Sequence, residues 1–470
     1  MATTELSRAR QVLLLGGLCL GPLTFGLLST AVVPLVPMAS THYGISAATA
    51  NLIVTVTLIA GTVSIPLLAR LGDRYGRRHV LLLSLGLLLS GCVLAAATDN
   101  VAALLVARFL QGPGVASAPL GFAVVADLIP VRRRTFGIGI VSAAASVGGG
   151  FGAPMGGLIV AGTGSIQAVF WVLTGIALAA FLATWLTVPA TRSATSGDGD
   201  VVGGALLTMA LVGILVALAE GGSWGWGSPA TLAFAGVGLV SGGLWIAQGY
   251  LAAHPLVDMR VFLSWPVLST NVGAIALGVG QLSMLLSFVA ISQRDPASGY
   301  GLGLGILAAT LIIVPCSLVQ AASSALLPRV ASRIGLRRSL MGGSIVAGLS
   351  LVLLAVWNDN AWALVIGSCL CTAGTGASMS ASPAYIVTVV VPPERGVATG
   401  MNFICRTIGQ ALGTAIVAAT ATAATPPGSA VPGLGGYQVA LVLAAVASLG
   451  SAALIGYARR RTPAAAGTLL

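Results

Sequence analysis

The chain has 470 residues, of which 57% are hydrophobic and 7% charged, and a net charge of +11. A soluble domain carries about 25% charged residues, so a chain with a mean hydropathy of +1.00 cannot cover a water-facing surface, and a soluble protein is excluded. All 22 basic residues are arginine; they cluster in short loops between apolar segments, which reads as a topology signal and excludes a nucleic-acid partner.

A membrane-crossing helix needs about 20 apolar residues at ~1.5 Å of rise each. That measure predicts fourteen spans: 12–36, 49–69, 79–97, 101–126, 137–161, 167–188, 202–219, 229–249, 266–290, 302–327, 339–357, 361–388, 397–421 and 438–457. The first follows a polar start bearing Arg8 and Arg10. It is longer than the roughly 7–15 residues of a signal-peptide core, so it reads as a span and not as a cleaved signal. Fourteen spans rather than twelve rests on 202–219 and 229–249. With the N-terminus inside, 19 of the 22 arginines lie on the cytoplasmic side, Arg294 lies outside, and Arg108 and Arg406 lie within spans. The expectation is a multi-pass protein of the bacterial inner membrane with both termini cytoplasmic.

The sequence also repeats. LGDRYGRRHVLLL (71–83) parallels ASRIGLRRSLMGG (331–343), with Gly335 standing 259 positions after Gly76. IPVRRRTFGIG (129–139) parallels VPPERGVATGM (391–401), with Pro393 standing 263 after Pro130. Two motifs at nearly one offset imply two six-span halves, 1–190 and 262–470, separated by an inserted pair within 191–261. The six cysteines all fall inside spans and read as small buried hydrophobes. No metal site is expected.

Four stretches carry chemistry. In the loop Asp73-Arg74-Tyr75-Gly76-Arg77-Arg78, a tight turn needs Gly76, and Asp73 can sit against the positive end of a neighbouring helix. In Arg108-Phe-Leu-Gln111-Gly112, an arginine inside a span costs about 2.5–3.5 kcal/mol on insertion scales, so it usually faces a polar interior. In Gly148–Gly157, small residues at Gly148, Gly152, Gly156 and Gly157 let two helices approach closely, and Pro154 kinks the helix. Between Asp200 and Phe262, Trp224 and Trp226 suit an interfacial aromatic anchor.

Together these stretches resemble the fourteen-span drug:proton antiporter branch of the major facilitator superfamily, over nearly the whole chain. The resemblance implies an all-α membrane protein of the major facilitator fold, built from two six-helix bundles plus two inserted helices. Its substrate would bind between the halves near the midplane. It implies that Asp73, with Arg74, Gly76, Arg77, Arg78 and Asp127, latches the cytoplasmic gate of an outward-facing state, with Arg77 paired to Asp127. It further implies that Arg108, Asp73 and Asp127 take part in proton coupling, and that Gly148, Gly152, Pro154, Gly156 and Gly157 form the antiporter motif. The chain departs from the pattern at Ala69 and Ala153, where glycine is usual. It departs again at Phe25, where many members carry an aspartate, judged by aligning on Pro34. None of the eleven acids lies near the middle of a span.

Polar residues within spans then mark the substrate cavity: Gln111, Asn271, Gln281, Ser283, Asn402 and Arg406. A cavity with arginine and no carboxylate favours neutral or anionic cargo over dications. The expected function is proton-coupled export of small amphipathic compounds such as antibiotics. The partners are lipid, a small-molecule substrate and protons, with no cofactor and a monomeric protein. The alternative in the same fold is export or import of one endogenous metabolite. A membrane-embedded enzyme is not expected, because His42, His79 and His254 are scattered and no loop is long enough for a catalytic domain.

Overall fold

The computed structural model describes residues 7–32, 35–45, 47–190, 200–252, 255–296, 300–304, 306–391, 394–426 and 432–457. Fourteen helices in it are long and apolar enough to cross a membrane. They are α1 (Arg8–Ala31), α2 (Ala47–Tyr75), α3 (Arg77–Ala97), α4 (Val101–Leu128), α5 (Val131–Thr163), α6 (Ile166–Thr187), α7 (Val201–Trp224), α8 (Pro229–Leu251), α9 (Trp265–Gln293), α10 (Ile306–Ile334), α11 (Leu336–Val356), α12 (Ala361–Val389), α13 (Arg395–Ala423) and α14 (Leu434–Tyr457). No strand occurs among the described residues. The spans expected at 202–219 and 229–249 are present as α7 and α8.

Several boundaries differ from the sequence reading. The first span was expected to reach residue 36, but α1 stops at Ala31 and a separate short helix, Val36–Tyr43, follows. Helices such as α5 and α10 run past the apolar window because polar residues continue a helix as readily once the backbone is satisfied internally. Within α4, a 3₁₀ stretch at Gly112–Ala116 separates Val101–Gln111 from Ser117–Leu128. The run Gly112-Pro113-Gly114 explains it: Pro113 has no amide to donate, and glycine is a poor helix former.

Both loop glycines of the repeat have the conformation their turn requires. Gly76 has φ 92° at the start of α3, and Gly335 has φ 86° at the start of α11. Such angles are strained for any residue with a Cβ.

The repeat also governs packing. α1 lies along α5, and α9 lies along α13. A Cβ at Gly148, Gly152 or Gly156 would fall 2.2–2.3 Å from the carbonyl oxygens of Leu23, Leu27 and Ala31 on α1. A Cβ at Gly409 or Gly413 would fall 2.0 and 2.6 Å from those of Ile275 and Val279 on α9. Gly409 and Gly413 follow Gly148 and Gly152 by 261 positions, inside the offset given by the loops. Backbone therefore rests on backbone at the same place in both halves. Gly157 does not share this role, since a Cβ there meets nothing within 4 Å.

The two sets of helices meet chiefly where α5 lies on α10 and α2 on α13. α7 leans on α2 and α13, while α8 packs on α7 through Gly213 and Gly238. Asp200 fastens one end of this inserted pair. Its carboxylate accepts from the Gly203 amide at 2.7 Å, from Gln248 Nε2 of α8 at 2.8 Å, and from the Leu256 amide at 2.8 Å.

Two glycines of one motif should therefore respond differently. Gly152→Val drives a side chain into the α1 backbone and is expected to destabilise by about 1–3 kcal/mol or more. Gly157→Val is expected to change little. Thermal unfolding of the purified variants in one detergent checks this; equal melting shifts would refute the packing role.

Candidate functional site

The arginine-rich end of the helices is closed. Ile65, Leu68 and Ala69 of α2 and Leu120 and Val124 of α4 share one buried apolar cluster with Ala384 and Val387 of α12 and Val397 and Met401 of α13. Gly400 permits a close approach of α13 to α2, since a Cβ there would lie 3.1 Å from the Ile65 side chain. The halves are thus sealed at this end by apolar contact, removing the cluster from solvent.

Charges surround the seal. Arg77, at the start of α3, is 4% exposed; it donates to the Ala123 carbonyl at 2.8 Å and forms an ion pair with Asp127 at the end of α4. The expected Arg77–Asp127 pair is therefore present. Arg78 donates to the Trp185 carbonyl at 2.8 Å, tying α3 to α6. Arg74 stacks over the Tyr75 ring at 5.3 Å. The side chain of Asp73 lies outside the described residues. Sequence reasoning passed over a second set of charges. Arg395, the first residue of α13, acts electrostatically on Asp127 across the halves. Glu394 beside it faces Arg70 of α2 and Asp258. Burial, reinforced by Asp258, pushes the Glu394 carboxyl above the usual carboxylate range, and Arg70 opposes that shift. These residues sit inside the repeated loop, so the Pro-Pro-Glu-Arg sequence was the available signal.

Arg108 was expected among the proton-coupling residues. It is 1% exposed, lies wholly inside the first set of helices, and does not reach toward a membrane surface. Its Nε donates to the Ile53 carbonyl at 2.6 Å and its guanidinium to Gln111 Oε1 at 2.7 Å, while its own carbonyl accepts from Thr57 at 3.0 Å. This joins α2 to α4. Gln111, expected in the substrate cavity, is instead 0% exposed and held between Arg108 and the Cys92 thiol. Its placement is corrected accordingly: the buried guanidinium needs an acceptor, and Gln111 provides it one helical turn away.

A cavity does form, mostly within the second half. Gln281 of α9, Gln320 of α10, Ser382 of α12, and Asn402 and Arg406 of α13 line it, and Phe122 of α4 faces them. Of the expected residues, Gln281, Asn402 and Arg406 are brought together. Asn271 lies behind Asn402, accepting from its Nδ2 at 3.0 Å, and Ser283 points at the Gly413 carbonyl at 3.5 Å, so neither lines the space. Ser382 donates to Asn402 Oδ1 at 2.9 Å. Ser382, Gln320 and Thr399 were not singled out from sequence. Thr375, Ser378 and Ser382 recur at three- and four-residue steps, and so do Thr399, Asn402 and Arg406; that helical spacing was the signal. The enclosed space is about 30 Å³, whereas ligand sites run to about 300–1,000 Å³. In this conformation the cavity is too small for cargo.

Toward the opposite end, α5 and α10 diverge around an apolar groove of about 580 Å³ between Phe151, Met155 and Leu158 on one side and Leu311 and Val314 on the other. Pro154 and Pro315 also line it.

The Arg77–Asp127 pair has no counterpart in the other half. Leu336 occupies the place of Arg77 in the repeat, and Val390 that of Asp127. Asp127→Asn leaves a buried arginine without its partner. It is expected to cost about 2 kcal/mol, below the ~3–5 of a fully buried pair because Asp127 is 33% exposed. The double variant Arg77→Leu/Asp127→Val should recover much of that loss. Unfolding midpoints of single and double variants test this, and a strictly additive result counts against the pair.

Comparison with known proteins agrees with this architecture. The human organic anion transporter MFSD10 (TETRAN) superposes with a TM-score of 0.68 at 16% identity, over 96% of this chain and 100% of that one. The multidrug resistance protein Stp of Mycobacterium tuberculosis (strain CDC 1551 / Oshkosh) is 28% identical over 357 residues, 74% of this chain and 64% of that protein. The chain thus spans somewhat under two thirds of that relative. A triacylglyceride transporter of Mycobacteroides abscessus is 28% identical over 77% of this chain and 72% of its own length. The tetracenomycin C resistance and export protein of Streptomyces glaucescens is 24% identical over 77% and 66%. The model of the Major Facilitator Superfamily matches residues 18–316 and 272–469, and the chain belongs to that family.

Proposed function

We propose that this transporter exports small amphipathic compounds, antibiotics among them, by alternating access in exchange for protons. One observation carries the reading. The cavity sets polar groups such as Gln281, Gln320, Asn402 and Arg406 beside the apolar Leu277, Met379, Phe403 and Phe122, and apolar contact closes the arginine-rich end. Cargo with a polar head and an apolar body fits such walls, and separating the halves is the way to enlarge the space. The names of the multidrug-resistance and tetracenomycin-export relatives support the same class.

In this reading the arginine-rich end is cytoplasmic, as the positive-inside rule requires. The two six-helix bundles, 1–190 and 262–470, rock about the cavity while 191–261 rides on them. Asp73, Arg74, Gly76, Arg77, Arg78 and Asp127 form the cytoplasmic latch. Asp127 and Asp73 are the proton acceptors. Protonating Asp127 would release Arg77 and loosen the seal, so proton binding and gate opening are coupled through one ion pair. Arg108 keeps a positioning role, holding α2 against α4.

A second reading, transport of one lipid-like endogenous metabolite, draws on the apolar groove between α5 and α10 and on the relatives named triacylglyceride transporters. Susceptibility profiling separates the two. Cells expressing the protein should tolerate several unrelated amphipathic antibiotics better than cells without it; a shift for none, or for a single compound, favours the metabolite. Asp73→Asn should abolish efflux at matched membrane expression, and normal efflux by that variant would reduce the loop to a topology signal.

A further inference from the structure

We propose that the cavity is an anion site. It takes an organic monoanion whose charged head rests on the Arg406 guanidinium and whose apolar body lies against Phe403 and Phe122. This rests on the transport reading above and names the cargo class for that cavity.

Arg406 is in the twelfth position of a 29-residue span, and a cation at such a depth is costly unless something answers it. Among the described residues no carboxylate lines the cavity. The Arg406 Nε is buried without a hydrogen-bond partner. The Phe403 ring, 4.3 Å from the guanidinium carbon, is the contact the structure gives it. A single cation–π contact is too weak to offset the burial. Arg108 makes the contrast plain. It is buried more deeply than the half-buried Arg406, yet its nitrogens meet the Ile53 carbonyl and Gln111. One arginine is already satisfied by protein; the other faces a cavity.

Internal symmetry shows that the helix crossing does not need this cation. A Cβ at Gly278 would lie 2.2 Å from the Arg406 carbonyl oxygen, where α9 crosses α13. The matching crossing of α1 and α5 places a Cβ of Gly26 at 2.7 Å from the Ala145 carbonyl oxygen. Ala145 precedes Arg406 by 261 positions, the offset of the glycines packed beside them. The first half thus builds the same joint with alanine. Arginine is an addition at that place, fixed there by backbone contact and aimed at the cavity.

The neighbouring groups suit an anion as well. Gln281 accepts from Gln410 through Oε1 at 3.1 Å, so its amide nitrogen remains to donate. No wall of the cavity offers a carboxylate to a cation. A second positive charge beside Arg406 would be repelled by it.

The test uses the full chain reconstituted in proteoliposomes and three probes on one aromatic scaffold: a carboxylate, its methyl ester, and a trimethylammonium analogue. The wild type should export the carboxylate in preference to the trimethylammonium compound. In Arg406→Ala the ratio of carboxylate to ester export should fall about 10- to 100-fold, as loss of a charged hydrogen-bonding partner implies. Arg406→Lys should restore part of the ratio. Gln281→Glu, which places a carboxylate in the same cavity, should move preference toward trimethylammonium. An unchanged ratio in Arg406→Ala overturns the proposal. Should that variant transport nothing, an unchanged order of preference in Gln281→Glu overturns it. Export of the ester with no dependence of the carboxylate on Arg406 sinks the anion site alone, whereas no export of any probe by the wild type sinks the transport reading itself.

Discussion

The whole arrangement depends on two places where helix backbone rests on helix backbone. In lipid there is little hydrophobic gain in pressing one apolar helix on another, so association comes from close packing. Gly148, Gly152 and Gly156 supply it between α5 and α1, and Gly409 and Gly413 between α13 and α9. A side chain at any of these positions would separate the axes and shift whatever the helices carry. Arg406 and Gln281 lie on the α13–α9 joint, so the cavity inherits its geometry from that contact. Arg77 and Leu336 are positioned in turn by the two positive-φ glycines, Gly76 and Gly335, that turn the chain from one helix into the next.

Against this shared frame the charges are placed asymmetrically. The first half has Arg77 and Asp127 where the second has Leu336 and Val390, and the second half has Arg406 where the first has Ala145. Each departure sits where the halves face one another or the cavity. Buried charge is expensive. An internal repeat that has kept its glycine contacts but differs in its charges has separated the work of folding from the work of gating and binding. Arg108 belongs to the first kind: with Ile53 and Gln111 it is a strut.

Much of this was legible in the sequence. Fourteen apolar runs, the arginine segregation and one repeat offset fix the number of helices and their pairing, because lipid forces every backbone amide to find its partner within the span. The Arg77–Asp127 pair was legible through the family resemblance of the loop that carries Arg77. Cavity walls were harder. A polar residue in a span faces either a cavity or a neighbouring helix, and Gln111, Asn271 and Ser283 turned out to satisfy other protein groups. Which way such a residue faces depends on helix rotation, and the even spread of small and apolar residues around α9, which carries Asn271 and Ser283, leaves its rotation poorly marked. Gln320 and Ser382 went unnoticed for the same reason. Glu394 and Arg395 were read only as loop charges, because their partners Arg70 and Asp127 lie in the other half of the chain.

A cavity without a carboxylate raises the question of how a proton and a cargo molecule could be linked at all. In a site where both compete for one acid, coupling is direct. Here the acids and the cavity are apart, so any coupling must be mechanical. The helices offer the connection. Phe122, which faces the cavity, and Asp127, which holds Arg77, lie on the same unbroken helical segment, Ser117–Leu128. Arg406 and Arg395 lie on α13, the latter acting on Asp127 across the halves. A helix is stiff over such lengths. In the proposed transport cycle, cargo that displaces the segment carrying Phe122 from α13 would also carry Asp127 away from Arg395. Neutralising Asp127 weakens the same contact from the other side. In the proposed cycle both events act on one boundary between α4 and α13, and each need bias it by only about a kcal/mol or two to make the proposed cargo and proton sensitive to one another.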